Sequence, residues 1–460
     1  MKKTSVINYQ DAMRTAFDEQ LSGMLVGYDL SVDEMTSMVG VENEYLLVTA
    51  DGSLATEEVR DAVLNGCRDI QTSRELGRSQ MEIITCPVDV CSGYRGLYDE
   101  LYMAENVLRS VAQRLGCTLV RIGSYPGASG DILYTQHDDK YRRILEAFDD
   151  VLPKTGTTNI GDVGLNDNTT WLMGGCQATQ LNIRVRSGDN AVYLLNRAIE
   201  LSPSFIALSA NSPFVNCRPT GYKDIRYVLW EMAYDMSGTM KSTFGVRRRT
   251  GIPNNYHENM DAYLDDVRNQ PFMICDPDHA FSHQMKMYWR IARLKPCGKN
   301  FASSLLEIRC IPIQPTLLED IAIHMLVYGL LSAYTRKHAR RTGFLPINLV
   351  NENIYRACKG GLDAKLYCYS DGRIVEADAK EIVSSHIEMA VEEWNQKSKE
   401  TADLVQSLKG RLSSIANTPA DKQLRKYNAT ISKGDSRSEA ARILLMSNVV
   451  SSCYRNDSEV

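Results

Sequence analysis

Several separate segments of this chain alternate polar and apolar residues with a period of two, and this pattern constrains the fold most. In the stretch VENEY, Glu42 and Glu44 are two residues apart, so their side chains share one face of a β-strand. Two neighbouring carboxylates repel each other unless a divalent cation lies between or beyond them, and carboxylate oxygens are the ligands that Mg²⁺ and Mn²⁺ select. A solvent-facing polar strand explains this one stretch equally well.

The pattern recurs in three further segments, and their polar faces contain acidic, amide and guanidinium groups. These groups are Gln80 with Glu82, then Gln180 with Asn182 and Arg184, and finally Glu307 with Arg309. Glu75 precedes a turn at Gly77, from which it can fold back toward the same place. Such a sheet lines a polar cavity over an apolar back. Carboxylates that hold cations, with arginines beside them, suit a polyanion such as ATP.

The order of predicted elements indicates the α+β class, because strands are separated by long helical insertions and do not alternate with helices one by one. The predicted strands are 40–48, 79–86, 117–124, 177–185 and 303–311. The predicted helices are 93–115, 188–209, 316–340 and 381–415. The stretch 137–170 is rich in Asp, Asn, Gly and Thr, which is typical of an exposed loop or lid.

The length of the chain and the absence of internal repeats predict one main folded unit. The chain has 460 residues without an internal repeat or a low-complexity linker. We therefore expect a catalytic domain over 1–380, with a helical C-terminal portion over 381–460 packed on the same body.

Charge and cysteine usage narrow the classes of partner and compartment. A formal net charge of -5 argues against general affinity for nucleic acid, and the basic run 247–249 is too short to change this. Twelve cysteines are scattered without a C-x-x-C pair, which is typical of reduced thiols in the cytoplasm. We find no run of about 18 apolar residues, so we expect no membrane contact. Small-molecule substrates are the expected partners, and a homo-oligomer stays open.

The common nucleotide-binding fingerprints are missing from the sequence. Neither G-x-x-x-x-G-K-[ST] nor a G-x-G-x-x-G between a strand and a helix occurs. If ATP binds, metal ions and arginines must hold its phosphates.

Six segments in order resemble the landmarks of the glutamate-cysteine ligase type 2 family. They are GVENEYLLV, GRSQMEIITCPVD, GSYPGAS, FIALSANSPFVNCRPTGYKDIRY, LLEIRCIPIQPTLLEDIAI and ENIYRACKGGLDAKLY, and they run from about residue 39 to about residue 375. The resemblance implies the fold that glutamine synthetase and the guanidino kinases share. In that fold, antiparallel strands surrounded by helices form a funnel-shaped active site, in which Mg²⁺, or Mn²⁺ in its place, grips ATP.

The resemblance also implies roles for individual residues. It assigns Glu44, Glu75 and Glu82 to one metal site, Glu42 and Glu307 to a second, and Arg309 and Arg226 to the transferred phosphate as catalytic and ATP-binding groups. Gln180, Asn182 and Arg184 are the candidates for binding substrate, and Gln180 also for ATP or a metal-bound water.

The implied reaction is ATP-dependent joining of a carboxylate to an amine. ATP phosphorylates the acid, most simply the γ-carboxylate of L-glutamate, to an acyl phosphate. An amine then attacks, and ADP and phosphate leave. L-cysteine is the default acceptor and gives γ-glutamylcysteine, while another amino acid or amine is the alternative.

Three departures from the family pattern leave the acceptor open. Gln180 stands where some members have a histidine ligand, Pro312 stands where many have an acidic residue, and GSYPGAS lacks a histidine often found in that turn. Two other functions also stay open. One is a phosphotransferase of the guanidino-kinase type, for which Cys310 is a weak candidate thiol, and the other is a silent glutamate- or nucleotide-binding homologue.

Overall fold

An antiparallel sheet of eight strands forms the centre of the computed structural model. The structure describes residues 6–25, 35–151, 158–165, 169–186, 188–234, 250–297, 303–336, 343–394, 400–413 and 418–450. The sheet strands are β1 (Met35–Thr49), β2 (Thr72–Arg74), β3 (Gln80–Ile84), β4 (Val88–Asp89), β5 (Cys117–Val120), β8 (Thr179–Arg186), β11 (Ala292–Cys297) and β12 (Ser303–Ile308). Three two-stranded pairs complete the set: β6 (Thr158–Ile160) with β7 (Val163–Leu165), β9 (Phe214–Val215) with β10 (Arg218–Pro219), and β13 (Lys365–Ser370) with β14 (Arg373–Asp378).

The strand order β11-β12-β8-β1-β3-β2 places the predicted polar faces side by side, and β4 and β5 also pair with β1. Glu44 lies opposite Glu82, and Glu42 lies opposite Gln180. Glu307 lies opposite Asn182. The α+β prediction with an antiparallel sheet is confirmed, and every predicted strand overlaps an observed one.

Helices surround this sheet. They are α1 (Gln10–Leu25), α2 (Glu57–Gly66), α3 (Arg95–Arg114), α4 (Asp139–Val151), α5 (Asp189–Ser209), α6 (Arg226–Tyr234), α7 (Met260–Asn269), α8 (Ala280–Lys286), α9 (Leu317–Arg336), α10 (Ile347–Gly360), α11 (Ala379–Glu393), α12 (Glu400–Leu412), α13 (Pro419–Ile431) and α14 (Arg437–Met446). The predicted helices 93–115 and 188–209 correspond closely to α3 and α5.

The prediction of an exposed loop over 137–170 is wrong for α4. The Asp138 carboxylate accepts hydrogen bonds from the backbone N–H groups of Lys140 and Tyr141 and so caps the start of this helix. Tyr141 and Ile144 are buried against the protein. Residues 152–157 and 166–168 of the predicted lid lie outside the described residues, as does the basic run 247–249.

The long prediction 381–415 is also corrected, because Trp394 follows the last residue of α11 in an extended conformation. Its indole N–H donates to the carbonyl of Met325 in α9 at 3.0 Å, which ties the two helices together. Since α11 begins before residue 380, the domain boundary proposed there falls inside a helix. The division into 1–380 and 381–460 stays a prediction.

Helix α9 is a core helix of unusual apolarity. Its stretch Leu317–Thr335 is long and apolar enough to cross a membrane, but 78% of that window is buried inside the protein. A helix that is apolar on all sides is expected when other elements cover it, and α3, α5, α11 and α12 pack around α9. The sequence predicts this helix over 316–340, but its polar residues interrupt the apolar run, so no continuous apolar stretch of about 18 residues stands out.

A buried charged cluster anchors α9 to the apolar back of the sheet. The Arg121 guanidinium is 1% exposed, donates to Glu105 at 2.6 Å and forms an ion pair with Asp320. It also donates to the Tyr45 hydroxyl at 3.2 Å. The cluster therefore joins α3, α9 and β1 through one side chain.

A second buried polar chain includes a neutral histidine. The Thr179 hydroxyl donates to Asn43, and His324 Nε2 lies 2.6 Å from the same hydroxyl, so Nε2 carries the hydrogen. Nδ1 has no hydrogen-bond partner in the described part of the chain. Burial lowers the pKa of His324 to about 3.

We expect His324 to make the protein sensitive to acid. The unfolded chain binds a proton at this imidazole below pH 6.5 and the folded chain does not until about pH 3, so stability falls as the pH falls through this window. The slope contributed is about 1.4 kcal/mol per pH unit. Urea unfolding between pH 7 and pH 4 measures it. The variant His324→Gln should flatten the dependence, whereas the exposed His279→Gln should leave it unchanged; equal slopes in all three proteins would contradict the assignment.

Candidate active site

Three glutamates from different segments converge at one end of the polar face. Glu44 comes from β1, Glu82 from β3, and Glu75 from the turn between β2 and β3. One carboxylate oxygen of each lies within 4.8 Å of the others. The sequence prediction grouped the same three residues, and the antiparallel pairing of β1 with β3 is what brings two of them opposite each other.

Neighbouring hydrogen bonds orient Glu44. Its Oε2 accepts a hydrogen bond of 2.7 Å from the backbone N–H of Ala178, and its Oε1 accepts one of 2.8 Å from the amide of Gln180. Both donors come from β8 or the residues just before it, so the sheet itself fixes the carboxylate. Each oxygen retains a lone pair for a further ligand.

The other two carboxylates are also held from outside the cluster. Glu75 Oε2 accepts a hydrogen bond from the Tyr141 hydroxyl at 3.0 Å and one from the backbone N–H of Leu76 at 3.2 Å. Glu82 Oε1 accepts one from the Ser73 hydroxyl. Tyr141 belongs to α4, the helix that sequence reasoning missed, so this helix contributes directly to the site.

Charge balance at this cluster is incomplete, although the charges of Arg226 and Arg309 partly stabilise the Glu44 carboxylate. No cationic side chain in the described ranges forms an ion pair with Glu44, Glu75 or Glu82. Burial, and then the charge of Glu75, raise the pKa of Glu44 to about 8, and the same two causes raise that of Glu82 well above its ordinary value. Three converging carboxylate oxygens, two from buried glutamates and one from the half-buried Glu75, are a donor set that fits Mg²⁺ or Mn²⁺.

Two arginines lie next to this cluster. Arg309, directly after β12, lines a pocket together with Glu44 and Gln180, and so does Arg226 at the start of α6. A guanidinium of Arg226 donates to the carbonyl of Cys310 at 3.4 Å. The pocket also includes the aromatic side chains of Tyr227, Trp230 and Trp289. The structure therefore brings both predicted arginines to the site.

Gln180 connects the carboxylate to the guanidinium. Its amide nitrogen donates to Glu44, and its amide oxygen accepts a hydrogen bond of 2.7 Å from Arg309. The sequence left open whether this amide oxygen replaces a histidine as a metal ligand. In the structure that oxygen already has a guanidinium partner.

The second predicted pair, Glu42 and Glu307, lies in the middle of the same face and already has cationic partners. Lys295 Nζ lies 2.8 Å from Glu42 Oε1 and 2.8 Å from Glu307 Oε1. Arg293 forms a further ion pair with Glu307, and the amide of Asn182 donates to Glu42 at 3.2 Å.

Electrostatics at Glu307 are opposite to those at the three-glutamate cluster. Burial by itself would raise the pKa of this carboxyl, but the charges of Arg293, then Arg309 and Lys295, hold it well below the ordinary value. Sequence reasoning missed Arg293 and Lys295. They are two residues apart on β11, and Arg293 lies opposite Glu307 in the register, so the same period-two rule finds them once β11 is recognised.

Arg184 lies away from the three-glutamate cluster. It is exposed near the end of β8, where it lines a second cavity with Glu42 and Asn182. The wall of this cavity is mainly apolar and includes Met38, Ile84 and Leu305. Its assignment to substrate binding stays a prediction.

The sequence profile described as glutamate-cysteine ligase family 2 matches residues 38–442, which include the whole polar face. The chain belongs to this family. Two relatives from Chloroflexus carry the provisional name glutamate–cysteine ligase 2. The chain is 25% identical to the Chloroflexus aggregans protein over 361 residues, covering 76% of this chain and 78% of the relative. It is 25% identical to the Chloroflexus aurantiacus (strain J-10-fl) protein over 409 residues, covering 85% of this chain and 88% of that relative.

The family's fold is also found in a solved structure. A glutamate–cysteine ligase from Francisella tularensis in complex with AMP superposes with a TM-score of 0.57 at 15% identity, covering 91% of this chain and 89% of that one. Membership of the family makes this chain an ATP-dependent carboxylate–amine ligase. The resemblance stated from the sequence is thereby confirmed.

Proposed function

We propose that the protein uses Mg-ATP to phosphorylate the γ-carboxylate of L-glutamate and joins the resulting acyl phosphate to an amine, with L-cysteine as the default acceptor. The observation that carries this proposal is the placement of three glutamates, without an ion-pair partner among the described residues, next to two arginines at one end of the polar face of the sheet. A metal cation between such carboxylates and the phosphates of ATP would neutralise both.

The proposed reaction has two steps. A γ-carboxylate oxygen attacks the γ-phosphorus of ATP and forms a new P–O bond, while the bond to the bridging oxygen breaks and ADP leaves. The amine nitrogen then attacks the acyl carbon, loses a proton, and expels inorganic phosphate as the C–O bond breaks. Both steps place negative charge on oxygens that fixed positive groups can stabilise.

The chain's own residues supply these positive groups. Arg309 is held between Glu307 and Gln180, so its guanidinium is oriented before a substrate binds. Arg226 points into the same pocket from α6. We assign both arginines to the oxygens of the transferred phosphoryl group. Glu44, Glu75 and Glu82 would hold a divalent cation, which when bound supplies charge neutralisation.

We propose a funnel-shaped site, which the same arrangement supports. The polar face of the sheet passes from the three glutamates, through Glu42 and Glu307, to the apolar cavity near Met38. We infer that ATP and the acid meet at the charged end, beside the two arginines. The amine acceptor stays open.

Phosphate release tests the proposal. Purified protein is given Mg-ATP with L-glutamate alone, and then with L-cysteine and each member of a panel of amines, while the product is followed by mass. We expect amine-dependent release and a product equal to glutamate plus amine minus water. ATP binding without release for any amine would contradict the proposed reaction.

The guanidino-kinase alternative depends on a reactive thiol, and the structure does not favour it. Burial raises the pKa of Cys310 to about 12, so this cysteine is a protonated thiol at neutral pH. A nucleophilic or strongly polarising cysteine needs a lowered pKa. Phosphorylation of a guanidino compound in the same assay, without formation of an amide, would favour the alternative.

A further inference from the structure

Lys295 occupies the position between the two glutamates that the family resemblance assigns to a second metal. We propose that its ammonium group is the permanent cation at Glu42 and Glu307, so that this protein binds a divalent cation at Glu44, Glu75 and Glu82 and none between Glu42 and Glu307. The inference rests on the metal centre of the proposed function.

The geometry of the sheet explains how one lysine reaches both carboxylates. Lys295 lies on β11 and Glu42 on β1, with β12 and β8 between them in the sheet, so this contact joins two strands that are not neighbours. Its Nζ is 2.8 Å from one oxygen of Glu42 and 2.8 Å from one oxygen of Glu307. The contact with Glu42 is a charge-assisted hydrogen bond. The contact with Glu307 is an ion pair at the same distance without hydrogen-bond geometry.

A count of charges separates the two glutamate groups. Two carboxylates, Glu42 and Glu307, face three cations, Arg293, Lys295 and Arg309. The cluster of Glu44, Glu75 and Glu82 has three carboxylates and, within the described residues, no ion-pair partner. A divalent cation fits the second group and would face a surplus of positive charge at the first.

Burial increases the cost of a metal at the first group. Glu307 is 0% exposed and its two oxygens already contact Lys295, Arg293 and Arg309. A metal ion that took these oxygens would displace the ammonium group and leave it without its carboxylate partners, partly buried among like charges. Removing the lysine charge should therefore open the site to a metal.

Counting bound Mn²⁺ tests the proposal directly. The full-length protein is titrated with MnCl₂ without nucleotide, and free Mn²⁺ is measured by electron paramagnetic resonance. We expect one bound ion in the unaltered protein, two in Lys295→Met, and one in the control Lys409→Met, whose lysine is exposed on α12. In Glu82→Gln the single ion should bind at least about tenfold more weakly, because even outer-shell changes cost this much.

Other outcomes overturn the proposal. Two ions in the unaltered protein, with one lost in Glu42→Gln, would show a metal where we place the ammonium group. One ion in a folded Lys295→Met would show that the lysine charge is not what excludes the second metal. If Lys295→Met does not fold, the unaltered protein and Glu42→Gln decide alone, because one ion in both supports the proposal. Counting bound Mn²⁺ does not require turnover. A failure of the ligase assay can therefore be distinguished from a failure of this proposal.

Discussion

Glu44→Gln should reduce amine-dependent ATP turnover by about 10²–10³-fold, the loss expected when one fixed charge-stabilising group is removed from an active site. The substitution keeps the size of the side chain. Its carbonyl oxygen can still accept the hydrogen bond from Ala178, so the fold should be retained. What is lost is one of three carboxylates that converge within 4.8 Å. Phosphate release measures turnover, and circular dichroism with thermal unfolding checks the fold.

A matched control distinguishes the site from a general effect of charge. Glu388 is exposed on α11, far from β1 in the chain, and Glu388→Gln should have unchanged turnover. Full turnover in folded Glu44→Gln would overturn the metal assignment. Loss of structure in Glu44→Gln would instead show that the carboxylate is needed for folding, and Glu82→Gln then tests the same cluster.

Arg121→Met should destabilise the protein by about 3–5 kcal/mol, the cost of leaving buried charges without their partner. Arg121 is 1% exposed, and its removal leaves Glu105 and Asp320 facing each other inside the core. Burial already raises the pKa of Asp320 to about 6, although Arg121 opposes that shift. Without the arginine, one carboxyl must bind a proton or the helices must separate.

Urea unfolding at pH 7.5 measures this loss. The exposed Arg114→Met on α3 serves as the control and should change stability little. Neutralising the two acids as well, in Arg121→Met with Glu105→Gln and Asp320→Asn, should recover part of the loss, because no buried charge is then left unpaired. A folded Arg121→Met with unchanged stability would mean that the cluster contributes no net stabilisation.

The sequence was sufficient for the parts of the site that obey a local rule. Glu42, Glu44, Gln180 and Asn182 follow from the period of a strand, which needs no knowledge of its partners. The prediction that Glu75 joins the site also required the turn at Gly77. The sequence of one strand does not show which other strands are its neighbours in the sheet. For this reason the contact of Lys295 with Glu42 was not predicted.

The polar composition of one segment led to the wrong prediction of a loop, because the segment contains a short amphipathic helix. The abundance of Asp, Asn, Gly and Thr over 137–170 concealed the apolar spacing of Tyr141, Ile144 and Ala147 in α4. The observed strand β5 ends at Val120, before the end of the strand predicted over 117–124, for a different reason. After Val120 the backbone N–H of Arg121 pairs with the carbonyl of Asn448, which lies near the other end of the chain.

The bridge that Gln180 forms between Glu44 and Arg309 has a consequence for the acidity that the enzyme tolerates. Where some relatives have an imidazole at this position, that ring can gain a proton between pH 5 and 8 and reverse its role from acceptor to donor. An amide neither gains nor loses a proton in that range. The Gln180 side chain therefore keeps its charge and its direction of hydrogen bonding when the acidity of its surroundings drifts.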